Sequence, residues 1–154
     1  MTDWPQASLD YVARARVVAA ALPGAGVVES TFDVPFDRYW GFVADLERSV
    51  PAFDPNVGAL VVEQRDGERL VVRARSPRGL PSRFDVDLTD DGWCLMVERH
   101  RLFTVVMAAV PDGGRTRAIH VEAVPRRVGR LLRPLMRRNV RLDVEGIRRQ
   151  LGLG

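Results

Sequence analysis

Residues 128–151 have the pattern of one long amphipathic helix, and such a helix is stable in a small protein only when another element covers its apolar face. Pro134 falls inside this segment, so the helix either begins near Arg133 or bends there. Helical spacing places arginines on one face and these apolar side chains on the other: Val128, Leu131, Leu132, Leu135, Met136, Leu142 and Ile147. The rest of the chain must therefore supply an apolar surface.

Two polar side chains, Asn139 and Asp143, lie one turn apart within the apolar face. A buried polar group needs a partner to offset its loss of hydration. Two interpretations follow. Either the helix bends and both side chains reach the boundary or the sheet backbone, or they fix a ligand in an otherwise apolar pocket.

The preceding sequence predicts a sheet. Residues 27–34 have strand composition, and two short helices are predicted next, one starting at Pro35 and one over residues 49–55. Alternating apolar residues then predict six strands, at 57–65, 68–75, 82–89, 93–99, 102–110 and 116–124. Short turns require antiparallel neighbours. The predicted class is α+β, a seven-stranded antiparallel sheet packed on the long C-terminal helix.

An extra helix is predicted over residues 5–22, capped by Asp3 or Ser8. We treat residues 1–26 as a helical extension of a single domain, residues 27–154. The strand at 102–110 is apolar on both faces, so either this helix or a second subunit should cover its outer side. A monomer and a homodimer are both compatible with this pattern.

Composition excludes several classes of function. The sequence has no secretion signal and no long apolar run, so a cytoplasmic protein without membrane insertion is expected. The sequence has one cysteine, two histidines and no nucleotide-binding motif. We therefore expect that it binds no metal and no other cofactor. All 23 basic residues are arginines, many of them on the last helix. No aromatic residue is interleaved with that stripe, so a solvated face is favoured over nucleic-acid binding.

Several segments together resemble the START-like family, also called SRPBCC, of polyketide cyclase/dehydrase and lipid-transport proteins. They are residues 27–40, Pro51-Ala52-Phe53-Asp54-Pro55, residues 112–117 and residues 139–151. The resemblance covers roughly residues 27–151. It implies the helix-grip fold, which is Bet v 1-like, with a curved sheet wrapped around the terminal helix and an apolar cavity between them. It carries no fixed catalytic motif.

The resemblance implies a hydrophobic small-molecule ligand such as a lipid or polyketide, bound with or without transport; the alternative is a polyketide aromatase/cyclase. Arg99, Asn139 and Asp143 are the polar candidates, and in an enzyme they would orient carbonyls and move protons. Arg99 is placed inside the cavity or at its rim, either for a ligand or paired with a carboxylate. The predicted apolar lining includes Trp40, Phe53, Phe84, Trp93 and Met107. Alternation in the last strand assigns His120, with Glu122, to the wetter face.

Overall fold

A computed structural model describes residues 8–154. The strands form one antiparallel sheet in the order β1-β7-β6-β5-β4-β3-β2. In chain order the elements are α1 (Tyr11–Ala20), β1 (Gly26–Phe32), α2 (Phe36–Val43), α3 (Leu46–Phe53), β2 (Ala59–Asp66), β3 (Arg69–Arg75), β4 (Pro81–Leu88), β5 (Trp93–Glu98), β6 (Thr104–Asp112), β7 (Arg115–Ala123) and α4 (Arg126–Gln150). The predicted α+β class and the helix-grip arrangement are confirmed.

The last helix, α4, is continuous through Pro134, so it does not begin near Arg133. It lies against β1, β7 and α3. Two glycines permit this close approach. A Cβ on Gly26 would lie 2.4 Å from the carbonyl oxygen of Met136, and one on Gly146 would lie 2.5 Å from that of Phe53. Among the helices of residues 8–154, none has an apolar stretch long enough to cross a bilayer.

Both faces of the sheet are covered, each by a different part of the chain. The inner face packs against α2, α3 and α4 and forms the larger core. On the outer face, Val12 and Ala15 of α1 pack with Val106, Ile119 and Val121. The outer side of β6 is therefore covered by the N-terminal helix, which is one of the two alternatives that the sequence left open.

The ends of the short elements differ from the sequence predictions. Helix α1 begins after Asp10, whose carboxylate accepts a hydrogen bond from the N–H of Ala13 at 2.8 Å, so Ser8 is not the cap. The other proposed cap, Asp3, lies outside the described residues. Helix α3 begins at Leu46 rather than at residue 49. The prediction had placed this helix between two prolines, Pro51 and Pro55. Burial of Leu46 and Val50 against the core instead favours a helix that begins earlier.

Candidate functional site

The inner faces of β7 and α4 bring together three buried ionisable side chains. His120 and Glu122 point inward from β7 and meet Asp143 on α4. The Nε2 atom of His120 lies 3.3 Å from Oδ2 of Asp143, and the two side chains are 4% and 1% exposed. Within residues 8–154, neither this nitrogen nor either Asp143 oxygen has an aligned hydrogen-bond partner. Because unsatisfied buried polar atoms are costly, this cluster does not have the arrangement expected of a purely structural one.

These groups border a small cavity of about 50 Å³ between the sheet, α3 and α4. The remaining walls are apolar, apart from Asp54 at the end of α3. A space of this size holds about one or two water molecules. The lining residues are Val50, Phe53, Asp54, Val57, Leu60, Ala74, Phe84, Met96, Val105, Met107, His120, Glu122 and Asp143.

Burial changes the protonation of the cluster. Burial and the neighbouring Asp143 carboxyl raise the pKa of Glu122 to about 8. Burial, with Asp54 adding to it, raises the pKa of Asp143 to about 7. Burial also raises the pKa of Asp54. The same desolvation lowers the pKa of His120, although Glu122 and Asp54 oppose the change. Near neutral pH, the Glu122 carboxyl is therefore mostly protonated and can donate a proton, and the His120 imidazole is mostly neutral.

The same three residues present a set of donor atoms that a divalent cation could use. One nitrogen of His120 and one oxygen each of Glu122 and Asp143 lie within 4.8 Å of one another. The same atoms are close enough to exchange a proton. The pKa values of the two carboxyls also lie near neutral pH, which suits such an exchange. The expectation that no metal binds stays a prediction.

Four of the predicted lining residues border the cavity, namely Phe53, Phe84, Met107 and Asp143. Trp40 is buried in the inner core but lies away from the cavity, where its Nε1 donates a hydrogen bond to the carbonyl oxygen of Thr89 at 2.9 Å. Asn139 is half-buried on α4 and does not border the cavity.

The predicted cavity positions of Trp93 and Arg99 are wrong. Trp93 lies on the outer face, where its ring is 5.7 Å from that of Tyr11 and the guanidinium of Arg14 lies 4.4 Å from its centre. Arg99 is exposed and lies 3.5 Å from the carboxylate of Asp85, which is the paired alternative. The more apolar side of β5, which carries Trp93 and Leu95, lies on the outer face of the sheet, and α1 covers that face.

The assignment of His120 to the wetter face is wrong for the same reason. In β7 the purely apolar residues Ile119 and Val121 face α1, and the polar residues His120 and Glu122 face α4. The sequence interpretation therefore missed His120, Glu122 and Asp54. A usable signal was present, since two ionisable residues alternate in a strand that otherwise continues as apolar residues to Ala123.

We expect the stability of the protein to fall as the pH rises from 6.5 to about 8. In this window unfolded Glu122 has lost its proton while the folded residue retains it, and Asp143 contributes in the same direction up to its pKa of about 7. Unfolded His120 gains a proton only below its ordinary pKa of 6.5, so its opposite effect lies at lower pH. The expected loss is about 2 kcal/mol.

Urea denaturation at several pH values, compared with Glu122→Gln, measures this effect. The variant keeps the shape of the side chain but does not titrate, so most of the loss should disappear. A wild-type stability that is constant over the window would contradict the proposed protonation of Glu122. The exposed control Glu68→Gln should leave the pH dependence unchanged.

No protein-family model and no curated protein matches the sequence. Solved structures do match. Zhui aromatase/cyclase from a Streptomyces species aligns with a TM-score of 0.64 and 14% identity over 82% of this chain and 92% of that one. TTHA0849 from Thermus thermophilus aligns with a TM-score of 0.63 and 21% identity over 82% and 95%.

The di-domain aromatase/cyclase StfQ from the steffimycin pathway aligns with a TM-score of 0.58 and 15% identity. That match covers 92% of this chain and 56% of StfQ, so the chain spans about half of the larger protein. The likeness establishes the fold. The chain has the helix-grip fold of START-like, or SRPBCC, proteins, as the resemblance in its sequence implied.

Proposed function

We propose that the protein binds a small hydrophobic molecule between the sheet and α4, with a polar group of that molecule at the buried cluster. The observation that supports this proposal is an apolar cavity whose inner wall carries atoms of His120 and Asp143 that have no aligned hydrogen-bond partner among residues 8–154. Pockets for small molecules have this composition, mostly apolar with a few convergent polar groups. A hydroxyl or carbonyl group would supply the missing hydrogen bonds.

The charges of the site favour a neutral ligand. Three carboxyl groups, from Asp54, Glu122 and Asp143, border the cavity, and an anionic head group would oppose their ionisation. Protonated Glu122 can donate to a ligand oxygen, while the oxygens of ionised Asp143 can accept from a hydroxyl. A ligand larger than the present space requires movement of the lining. Met96 and Met107 suit that role, since methionine has several rotatable bonds and adapts to different shapes.

Filling the cavity should abolish binding. Ala74 borders the cavity, and Ala74→Leu adds three carbon atoms there. We expect native mass spectrometry of the purified wild type to show a bound small molecule, and the variant to lack it. The neutral probe 2-naphthol should bind the wild type at least tenfold more tightly than the variant, measured by fluorescence titration.

The matched control is Ala59→Leu, which adds the same atoms at an exposed position at the start of β2. It should leave the affinity for 2-naphthol unchanged. Equal binding by the wild type and Ala74→Leu, with both proteins folded, would contradict binding in this cavity.

A second candidate function is acid–base catalysis of the aromatase/cyclase type, favoured by the altered pKa values at the cluster. The Zhui and StfQ proteins carry that description. In such a reaction His120 or Asp143 would remove a proton from a carbon between two carbonyls. That carbon would then form a bond with another carbonyl carbon, and protonated Glu122 would give its proton to the carbonyl oxygen. Loss of water would complete the step. Groups that titrate near neutral pH are suited to both transfers.

A further inference from the structure

One end of the sheet collects several loops, and we call it the loop end. The pairing of Thr104 with Ala123 places residues 99–103 beside the start of α4, and the pairing of Arg75 with Pro81 places residues 76–80 at the same end. Residues 21–25 and 54–58 enter their strands there as well. The loop end thus comprises residues 21–25, 54–58, 76–80, 99–103 and 124–135.

Large apolar side chains are exposed at the loop end. Leu131 is 79% exposed and Leu80 is 70% exposed, and Leu102, Phe103, Val128 and Leu135 are also exposed. The loop that carries Leu102 is held in place by buried Glu98, whose carboxylate accepts hydrogen bonds from the N–H groups of His100 at 2.8 Å and Leu102 at 3.1 Å. The side chain of Leu102 is therefore presented outward from a hydrogen-bonded loop.

The exposed leucines of α4 follow from its position. The backbone of α4 passes Gly26, the first residue of β1, at Met136, and it reaches Pro23 at Gly129. The residues of α4 before Met136 therefore extend past the end of β1. In the described part of the chain no strand covers Leu131 and Leu135, although they continue the apolar stripe of the helix.

The loop end is also strongly basic. These five segments contain one acidic residue, the half-buried Asp54, and seven arginines. The arginines are Arg78, Arg99, Arg101, Arg126, Arg127, Arg130 and Arg133. Within residues 8–154, Arg99 has an ion pair and the other six have none. The opposite end of the sheet carries the acidic residues Asp66, Glu68, Asp90, Asp91 and Asp112, with Arg69 and Arg115 beside them. The charge of the molecule is therefore polarised along the sheet.

We infer that the loop end docks on an anionic lipid surface. Arginines and exposed aliphatic side chains on one face are the combination that binds such a surface, the arginines through the lipid head groups and the apolar side chains by insertion beneath them. A second copy of the chain would oppose arginine with arginine across the interface. Nucleic acid could stack a base on the exposed ring of Phe103, but it would leave the exposed leucines without a role.

The position of the cavity agrees with docking at this end. Leu60, Ala74 and Met96 border the cavity and lie within two residues of the strand ends that meet the loop end. A docked molecule would hold this part of the cavity next to the lipid, from which a hydrophobic ligand could enter or leave. Docking itself does not depend on the proposed ligand binding.

Sedimentation with lipid vesicles tests the inference on the full chain. We expect binding to vesicles of phosphatidylcholine and phosphatidylglycerol in a two-to-one ratio, no binding to pure phosphatidylcholine, and loss of binding at high salt. The double variant Arg127→Gln/Arg130→Gln should bind about twentyfold more weakly, since each arginine contributes roughly a factor of five. Leu131→Gln should weaken binding severalfold at unchanged charge.

Matched controls are Arg115→Gln, at the acidic end, and Val17→Gln, exposed on α1. Both should bind like the wild type. Absence of binding, or equal losses in the controls, would overturn the inference. So would binding to single-stranded DNA that Leu131→Gln leaves intact, or a change in oligomeric state on Leu131→Gln. Binding of 2-naphthol should persist in the docking variants, so failure of docking and failure of ligand binding are distinguishable.

Discussion

Gly146→Ala is expected to lower the free energy of unfolding by about 3 kcal/mol. The new methyl carbon would lie 2.5 Å from the carbonyl oxygen of Phe53 and 2.9 Å from its Cα, so the backbones of α3 and α4 must separate. This loss would occur even though alanine is a better helix former than glycine by about 1 kcal/mol. Because Phe53 borders the cavity, the shift should also weaken the binding of 2-naphthol.

Gly41→Ala is the matched control. Gly41 lies within α2, and a Cβ there would meet no atom within 4 Å among the described residues. This variant should gain about 0.5–1 kcal/mol from helix propensity alone. Chemical denaturation of both variants measures the difference. A Gly146→Ala protein as stable as the wild type would show that α4 does not approach α3 this closely.

The sequence predicted the architecture because its evidence is local. Alternation predicted the strands, the short turns between them predicted antiparallel pairing, and helical spacing predicted α4. The position of Asp143 inside the apolar stripe followed from the same spacing, and the structure places it in the cavity wall. Phe84 and Met107 lie on the inner face of the sheet, in the same core as Phe53 of α3.

The rest of the site could not be predicted from alternation because both faces of the central strands are buried. Alternation separates the two faces of a strand but does not say which one meets α4. In β5 and β7 the more apolar face meets α1, so Trp93 was placed on the wrong side and His120 was assigned to solvent. The polar face of β7 is dry because α4 covers it. Which helix covers which face depends on long-range packing.

The polarised charge of the molecule has the same origin. The arginines of α4 were visible in the sequence, but their proximity to Arg78, Arg99 and Arg101 depends on strand pairing. The stripe alone favoured a solvated helix face. The additional exposed leucines at the loop end are what favour a lipid surface over water.

Asp143→Asn is expected to make the protein more stable. The pKa of folded Asp143 is raised to about 7, whereas the unfolded residue ionises near 3.8, so the wild type loses stability between these values as the pH rises. Asparagine does not titrate. The variant should therefore match the wild type at about pH 4 and exceed it by about 4 kcal/mol at about pH 8, as measured by urea denaturation.

The exposed control Asp85→Asn should change stability by less than about 0.5 kcal/mol, since surface ion pairs contribute little.

The functional readout for Asp143→Asn has two parts. Weaker binding of 2-naphthol is expected if the cavity holds a ligand. If the cluster moves protons, the wild type should catalyse deuterium exchange at the methyl group of acetophenone, which lies next to a carbonyl. The variant should then lose this exchange while still binding. A gain in stability together with either loss would show that a buried charge is kept for function at a cost to the fold. A variant that is less stable at every pH would instead make Asp143 a structural residue, because its negative charge would then be compensated in the folded protein.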